Sequence, residues 1–359
     1  MATPPPPETT LLPGARALLA FHARELPQRD DLCGAFCGAL ALHATGLQLP
    51  TGEPLDQDTV ALAAGSVVST QRDTGNLPHG ETGRRDYRLA LPFVDDATVS
   101  GTTAAGVVGA IERLAGGALA AIPYSGPWTA PTLDGLFELV AALEHPVALI
   151  ANLATHHLWG GRARLDQLLD YLYDGAQPGP PPDWDVGHFV CVFGRVRGPR
   201  GTLYGIADTY PSLGNGGVHM QPGERLAAAI ERRDKPAGGV VVVLSAGDAS
   251  HVRAGARRLG LHESIWDNGT GTRQIQFPSP LDVFFPNNPD MRVSWTPLFS
   301  IYRYDHRPSG ETRSSLLWGA LTWRRDASRS LTEFHLGPLM GMHRQPEGQN
   351  WSLLGFDFG

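Results

Sequence analysis

The chain has 359 residues, of which 42% are hydrophobic and 18% are charged, a composition typical of a globular protein with one large domain or two smaller ones. The net charge of −7, without a basic patch, excludes the electrostatic footprint of a nucleic-acid-binding protein. Neither a signal peptide nor an apolar run long enough to span a membrane is evident, and three cysteines are too few for a disulfide framework. We therefore expect a cytoplasmic protein with free thiols, no membrane contact and no nucleic-acid partner. The abundance of Ala, Gly, Pro and Arg is typical of a GC-rich bacterial genome.

The N-terminal part of the chain is predicted to be a tail followed by two helices. Residues 1–13 are rich in proline and are expected to be disordered. Helical spacing is predicted over residues 14–24 and again from about Cys33 onward. The acidic pair Asp30 and Asp31 is expected to cap the second helix.

The middle of the chain alternates helical and extended patterns. The turn sequence R-G-P-R-G at 197–201 joins two of the extended segments into a β-hairpin. Because no regular strand–helix repeat is present, the pattern favours an α+β fold over a doubly wound sheet. Helices are predicted over 107–114, 164–173, 223–233 and 251–258, and strands over 118–124, 146–153, 187–196, 202–208 and 239–245.

After residue 250 the alternation of helical and extended patterns gives way to a weak repeat of extended segments. A loop over 278–290 is followed by a weak repeat, in which residues 295–305 resemble residues 316–326. A looser third copy follows at 335–345, and a fourth strand is predicted over 351–358. The repeat predicts an antiparallel β-meander with apolar residues on both faces, one of which is expected to pack on the first domain or on a partner.

Cys33 is the candidate nucleophile because it stands in the first turn of a predicted helix. The unpaired amides and the dipole at a helix N-terminus favour a thiolate, and a nearby imidazolium favours it further. His188 begins one strand of the predicted hairpin and Asp208 ends the other, so we expect the carboxylate to orient the imidazole. Gln28 lies five residues before Cys33, and its amide is a candidate donor to an oxyanion, together with the Cys33 backbone N–H.

These segments resemble the papain-like cysteine peptidases, and most closely the bacterial branch that cuts double-glycine leaders from bacteriocin precursors. The matching pieces are Gln28, the run C-G-A-F-C that begins at Cys33, the run G-H-F-V that contains His188, and Asp208 followed by Pro211. The resemblance covers roughly residues 25–246 in order of elements. It implies a papain-like catalytic domain, taken as residues 14–247, and a β-rich C-terminal domain over residues 248–359. It also implies a Cys-His-Asp triad with the glutamine at the oxyanion.

Three positions differ from the pattern of that family. The glutamine usually lies six residues before the nucleophile, and here it lies five residues before Cys33. Leu32 takes the place of an aspartate. Thr209 and Tyr210 separate Asp208 from Pro211, whereas the family has an adjacent aspartate–proline pair.

The cysteines could also serve as packing residues or as metal ligands. Cys37 and Cys191 are expected to be packing residues, because cysteine is among the most buried residue types. A zinc site built from Cys33, Cys37 and the pair His156-His157 is disfavoured, because C-x3-C is a poor match to the usual C-x2-C spacing and no second cysteine pair exists. We therefore predict neither a metal nor a cofactor.

The predicted activity is cleavage of a peptide or amide substrate through a thioester acyl-enzyme. Transfer of the acyl group to an amine, as in an acyltransferase or peptide cyclase, uses the same triad and stays open. A non-catalytic binding or scaffold protein on a peptidase fold is the alternative from another class, with the β-meander as a surface for a protein partner or for self-association. The residues predicted to contact substrate are Trp128, His156, Trp159 and Trp184.

Overall fold

The structure is a computed structural model, and the chain divides into two compact units. The first unit comprises Met1–Ser66, Arg72–Asp86 and Thr102–Asn268, and the second comprises Val67–Gln71, Tyr87–Gly101 and Gly269–Gly359. The residues that the structure describes are 5–49, 52–70, 77–94, 97–160, 162–175, 178–182, 184–232, 238–268, 275–276, 302–306, 311–317, 320–326, 330–337, 339–345, 348–353 and 356–358.

The helices predicted from the sequence are all present. Several begin at a side-chain cap, such as Asp56, whose carboxylate accepts from the backbone N–H of Thr59 at 2.9 Å. Over the described residues, no helix is long and apolar enough to cross a membrane. The helices are α1 (Ala15–Glu25), α2 (Cys33–Ala44), α3 (Gln57–Ala64), α4 (Ala104–Ala115), α5 (Ala130–Ala141), α6 (Leu165–Asp174), α7 (Gly223–Glu231) and α8 (Ala249–Arg258).

The predicted strands are also present, together with short strands that were not predicted. Up to residue 263 they are β1 (Glu8–Leu11), β2 (Val68–Ser69), β3 (Phe93–Val94), β4 (Leu119–Ser125), β5 (Ala148–Ala154), β6 (Gly187–Arg197), β7 (Thr202–Ala207), β8 (Val218–Pro222), β9 (Gly239–Ser245) and β10 (His262–Glu263). The remaining strands are β11 (Ile275–Gln276), β12 (Tyr302–His306), β13 (Glu311–Leu316), β14 (Leu321–Asp326), β15 (Leu331–Leu336), β16 (Met340–Gln345), β17 (Gly348–Leu353) and β18 (Phe356–Phe358).

The first unit is built around an antiparallel sheet in the order β10-β4-β9-β5-β6-β7-β8, with β1 also paired to β6. Alternating side chains of β6 face opposite layers. Phe189 and Cys191 contact α2, whereas Val190 and Val192 join the core that includes residues of α5, α7 and α8. The prediction of a disordered tail over residues 1–13 is wrong from Glu8 onward, because β1 completes the backbone hydrogen bonds of β6.

The second unit contains two sheets of its own. A short parallel pair joins β2 and β3, and the larger sheet is an antiparallel meander in the order β11 to β18. The predicted β-meander is therefore confirmed. The repeat segments at 316–326, 335–345 and 351–358 each contain the end of one strand and the whole of the next strand. The predicted loop over 278–290 lies outside the described residues.

Strand register puts the large apolar side chains of the meander mainly on one face. Residues that pair across adjacent strands share a face, as do residues two apart along a strand. The prediction of apolar residues on both faces is therefore largely wrong, although Leu331 lies on the other face. The face that we call the apolar sheet face carries one row of Leu316, Leu321, Leu336, Met340 and Leu353 and a second row of Trp323, Phe334, Met342 and Trp351.

Candidate active site

Cys33 is the first residue of α2, and it is the least buried of the three cysteines, all of which are free thiols. Leu32 occupies the N-cap position without a side-chain cap. The expected cap by Asp30 or Asp31 is wrong, and the Asp30 carboxylate instead accepts from the backbone N–H of Arg84 at 2.8 Å. In the described structure the N-cap residue of α2 thus provides no side-chain cap, and the dipole of the helix is directed at the Cys33 thiol.

His188 and Asp208 meet as the hairpin predicts. Nε2 of His188 lies 2.9 Å from Oδ1 of Asp208, and both side chains are 2% exposed. The backbone N–H of Thr209 donates to the same carboxylate oxygen at 2.7 Å. Burial raises the pKa of Asp208, but the charge and hydrogen bond of His188 and the hydrogen bond of His219 outweigh it and hold that pKa well below its usual range.

The Cys33 thiol lies near enough to His188 to interact with its imidazole and to raise its pKa. Because Asp208 occupies Nε2, Nδ1 is the imidazole nitrogen available to the thiol. Burial lowers the pKa of His188, but the charge of Asp208, the hydrogen bond to Asp208 and the interaction with Cys33 raise it to about 10. At neutral pH the imidazole is therefore protonated, and an imidazolium beside a cysteine favours the thiolate.

Two aromatic rings cover the His188 imidazole. Trp184 meets it edge-on with ring centroids 4.7 Å apart, and Tyr210 stacks on it at 6.3 Å with an interplanar angle of 19°. Burial raises the pKa of Tyr210, and the charge of Cys33 raises it further, so Tyr210 stays a neutral phenol. Trp184 was predicted as a substrate contact, whereas Tyr210 was missed because its role depends on where the loop after β7 folds.

Gln28 lies at the site but makes few side-chain contacts. Its backbone N–H donates to the carbonyl of Thr209 at 2.9 Å, which connects the loop before α2 to the residue after Asp208. The side-chain amide is buried; Nε2 donates weakly to the Arg29 carbonyl at 3.4 Å, and within the described structure Oε1 has no hydrogen-bond partner. The amide is thus buried without a strong hydrogen-bond partner of its own.

The structure places the other predicted substrate contacts in different surroundings. Trp128 lies in the hydrophobic core of the first unit and is 4% exposed. His156 pairs with Asp185 at 3.0 Å. Trp159 packs on Tyr171 and also borders a cavity of about 20 Å³ that Trp184 and Asp208 share, which is room for roughly one water molecule.

Two further histidines contact Asp208, and neither was predicted as a site residue from the sequence. His22 on α1 donates through Nε2 to the Asp208 backbone carbonyl at 2.6 Å. His219 on β8 lies 3.1 Å from Oδ2 of Asp208, the oxygen that His188 leaves open, and Gln221 holds its other nitrogen. The spacing H-M-Q on the strand after Asp208 was the available signal, since residues two apart share a face.

Cys37 and Cys191 are buried packing residues, as predicted. The thiol of Cys191 contacts the Cys37 backbone carbonyl at 3.6 Å, and burial, followed by contact with Cys191, raises the pKa of the Cys37 thiol. Among the side chains that the structure describes, no group of three or more His, Cys, Asp or Glu residues is arranged to hold a metal ion.

The comparisons with known proteins assign a family without an activity. No curated protein and no solved structure matches the chain. A family model described as a family of unknown function, DUF6885, matches residues 12–267, which is most of the chain and includes every residue of the site. The chain therefore belongs to the DUF6885 family.

Proposed function

We propose that the protein is a cysteine-dependent acyl-transfer enzyme that cleaves a peptide or amide substrate. One observation carries the proposal: Cys33, at the start of α2, interacts with the His188 imidazole, and Nε2 of that imidazole lies 2.9 Å from Oδ1 of Asp208. A nucleophile, an acid–base group and an orienting group thus lie together, which is what nucleophilic catalysis on a carbonyl requires.

In the proposed reaction the Cys33 thiolate attacks the substrate carbonyl carbon and a tetrahedral oxyanion forms. The Cys33 backbone N–H and the Gln28 amide donate to that oxyanion. The His188 imidazolium then gives its proton to the leaving amine as the carbon–nitrogen bond breaks, and a thioester remains. Water, deprotonated by His188, hydrolyses the thioester to a carboxylic acid and restores the Cys33 thiolate and the His188 imidazolium. An amine in place of water gives acyl transfer or cyclisation.

The fold assignment and the compartment are part of the same proposal. An N-terminal helix that carries the nucleophile, packed on an antiparallel sheet that carries the histidine and the aspartate, supports a papain-like fold for the first unit. The three unpaired cysteines support a reducing compartment, so we place the protein in the cytoplasm.

Alkylation by iodoacetamide tests the proposal without a known substrate. We expect Cys33 to be alkylated at least about tenfold faster than Cys37 and Cys191 at neutral pH, because thiolate character and exposure control the rate. His188→Gln should slow Cys33 to a rate near that of an ordinary exposed thiol. Cys191→Ser is the matched control and should leave the Cys33 rate unchanged. Equal slow labelling of all three thiols would overturn the proposal. Mass spectrometry of the acyl group trapped on Cys33 in cell extract would then identify the substrate.

A further inference from the structure

His219 is a buried histidine that the proposed reaction steps do not use. It lies on β8 and is 8% exposed. Its Nε2 atom lies 3.1 Å from Oδ2 of Asp208, and its Nδ1 atom lies 3.1 Å from Nε2 of Gln221. Both ring nitrogens therefore have a partner, and the identity of each partner determines where the ring carries its proton.

Gln221 has only one amide orientation that suits its backbone partners. The Trp159 N–H can only donate, and it lies 2.8 Å from Oε1 of Gln221; the Trp159 carbonyl can only accept, and it lies 2.9 Å from Nε2. Nε2 of Gln221 is therefore the donor end of the amide, with a second hydrogen for Nδ1 of His219. Nδ1 must accept that hydrogen bond, so the His219 ring is neutral and carries its proton on Nε2.

We propose that His219 is a neutral positioning residue for the His188–Asp208 pair, a role that rests on the proposed acyl-transfer function. Its Nε2–H holds Oδ2 of Asp208, while His188 and the Thr209 backbone N–H hold Oδ1, so the carboxylate cannot rotate away from the imidazolium. Because His219 is neutral, it adds a hydrogen bond without adding a second positive charge. The negative charge of Asp208 then interacts with a single positive charge, that of the His188 imidazolium.

Nitrogen-15 chemical shifts of the imidazoles test the tautomer in the full chain. We expect His219 to show a protonated Nε2 and an unprotonated Nδ1 at neutral pH, while His188 shows two protonated nitrogens. Gln221→Leu should leave the His219 Nδ1 without its donor and shift that resonance. A doubly protonated His219, or a proton on Nδ1, would overturn the proposal. This readout does not depend on the reactivity of Cys33, so it stands apart from a failure of the proposed enzyme activity.

A double-mutant cycle on the Cys33 alkylation rate tests the positioning role. His219→Leu should slow alkylation by about tenfold, the effect of losing one charge-assisted hydrogen bond, and His219→Gln, whose amide can donate to Asp208, should restore most of it. In an Asp208→Asn background, His219→Leu should have little further effect, because both residues act through the same contact. Full additivity of the two substitutions, or no rescue by glutamine at equal thermal stability, would show that His219 serves the fold alone.

The apolar sheet face of the second unit carries an independent inference. Several of its side chains are strongly exposed, among them Trp323 at 49%, Trp351 at 43% and Leu353 at 52%. Trp323 and Phe334 pack edge to face across adjacent strands, with ring centroids 6.1 Å apart. The opposite face is polar, and there Glu333 pairs with Arg324 at 3.2 Å and with His343 at 3.0 Å. A sheet with a polar, solvent-exposed face on one side needs a packing partner for the apolar face on the other side.

We infer that a second copy of the chain covers the apolar sheet face. Five strands at about 4.8 Å spacing and six residues at about 3.4 Å rise give a sheet surface of roughly 500 Å², which holds the two apolar rows and the row beyond them. Two such surfaces stacked together cover about 1,000 Å², the lower bound of the area that a specific interface buries. The nine side chains of the face carry no charge, so the face matches itself under two-fold symmetry without placing like charges together. Arg325 and Arg344 follow in the next row and would form a polar rim.

Sedimentation equilibrium of the full chain tests this inference. We expect a monomer–dimer equilibrium that shifts fully to monomer in the double variant Trp323→Glu, Trp351→Glu. The double variant His335→Glu, Asn350→Glu places the same charges on the polar face and should stay dimeric; matching circular dichroism spectra would show that both variants fold. A monomer at every concentration of the unmodified chain would overturn the inference. So would an apolar-face variant that remains dimeric, or a monomer that co-sediments with anionic lipid vesicles.

Discussion

His22 donates its Nε2–H to the backbone carbonyl of Asp208 at 2.6 Å, which ties α1 directly to the catalytic aspartate of the proposed triad. A carbonyl can only accept, so His22 must carry its proton on Nε2. Burial lowers the pKa of His22 below its ordinary value of 6.5, although the contact with Asp208 opposes the shift. The His22 ring is therefore neutral in the folded protein.

The lowered pKa of His22 predicts a loss of stability in mild acid. The unfolded chain binds a proton at His22 more readily than the folded chain, so this contribution is present above the ordinary pKa of 6.5 and is lost as the pH falls below that value. We expect the urea midpoint of the unmodified chain to fall more steeply below pH 6.5 than that of His22→Gln. Equal slopes in the two proteins would contradict this expectation.

The His188–Asp208 pair predicts the opposite trend in alkali. The pKa of His188 is raised to about 10, so its stabilisation is fully present below its ordinary pKa of 6.5 and is lost as the pH rises towards about 10. Asp208→Asn removes the negative partner and should flatten this loss in urea titrations between those pH values. Asp166→Asn removes an exposed carboxylate paired with Arg164 and serves as the control, with an unchanged slope. A steep loss of stability at alkaline pH that persists in Asp208→Asn would show that groups other than the His188–Asp208 pair cause it.

Gly34 is predicted to be intolerant of any side chain. A Cβ at this position would lie 2.9 Å from Cβ of Thr102 and 3.2 Å from both the Phe189 ring and Val107. Gly34→Ala should lower the free energy of unfolding by about 1–3 kcal/mol through overpacking. Gly109→Ala on α4 is the matched control, since its Cβ would meet only the Arg113 side chain at 3.7 Å or more, and it should raise stability by about 0.5–1 kcal/mol. Chemical denaturation of both variants measures the difference, and a stable Gly34→Ala protein would contradict the packing.

The buried side chain of Asn152 stabilises the strand that carries His188. Its Nδ2 donates to the His188 carbonyl at 3.1 Å, and its Oδ1 accepts from Arg232 at 2.9 Å and from the Trp266 indole at 3.0 Å. Asn152→Ala removes three buried hydrogen bonds, so we expect a loss of about 2–4 kcal/mol in urea unfolding and slower alkylation of Cys33. Thr129→Ala removes the cap of α5 and should cost about 1 kcal/mol while the alkylation rate stays the same. If Asn152→Ala were destabilised but Cys33 were alkylated at the normal rate, Asn152 would contribute to the fold and not to the reactivity of Cys33.

Local patterns were sufficient to predict the core of the candidate site. The run that begins at Cys33 is helical by composition, and a cysteine at its first position lies at a helix N-terminus wherever the helix packs. The turn R-G-P-R-G determines which strands pair, so His188 and Asp208 become neighbours through hairpin register alone. Both inferences rest on contacts that are short in sequence.

Other features depended on contacts that are distant in sequence and were missed or predicted wrongly. The expected Asp30 cap is absent because that carboxylate binds the backbone N–H of Arg84. Trp128, an aromatic residue in a turn, packs into the core because α5 folds over it. The apolar residues of the meander share one face because each repeat includes the connection between two strands, which places Leu316 opposite Leu321.

The sequence by itself determined the residue types at the site, the helix that carries Cys33 and the hairpin that joins His188 to Asp208, because these follow from periodicity and turn chemistry. Only the tertiary structure decided that Asp208 is shared by His188, His219 and His22. Those histidines come from three different elements, and a hydrogen-bond network of this kind depends on atom positions within a few tenths of an ångström. No pattern in the chain specifies such positions, since packing of the sheet against α1 and α2 sets them.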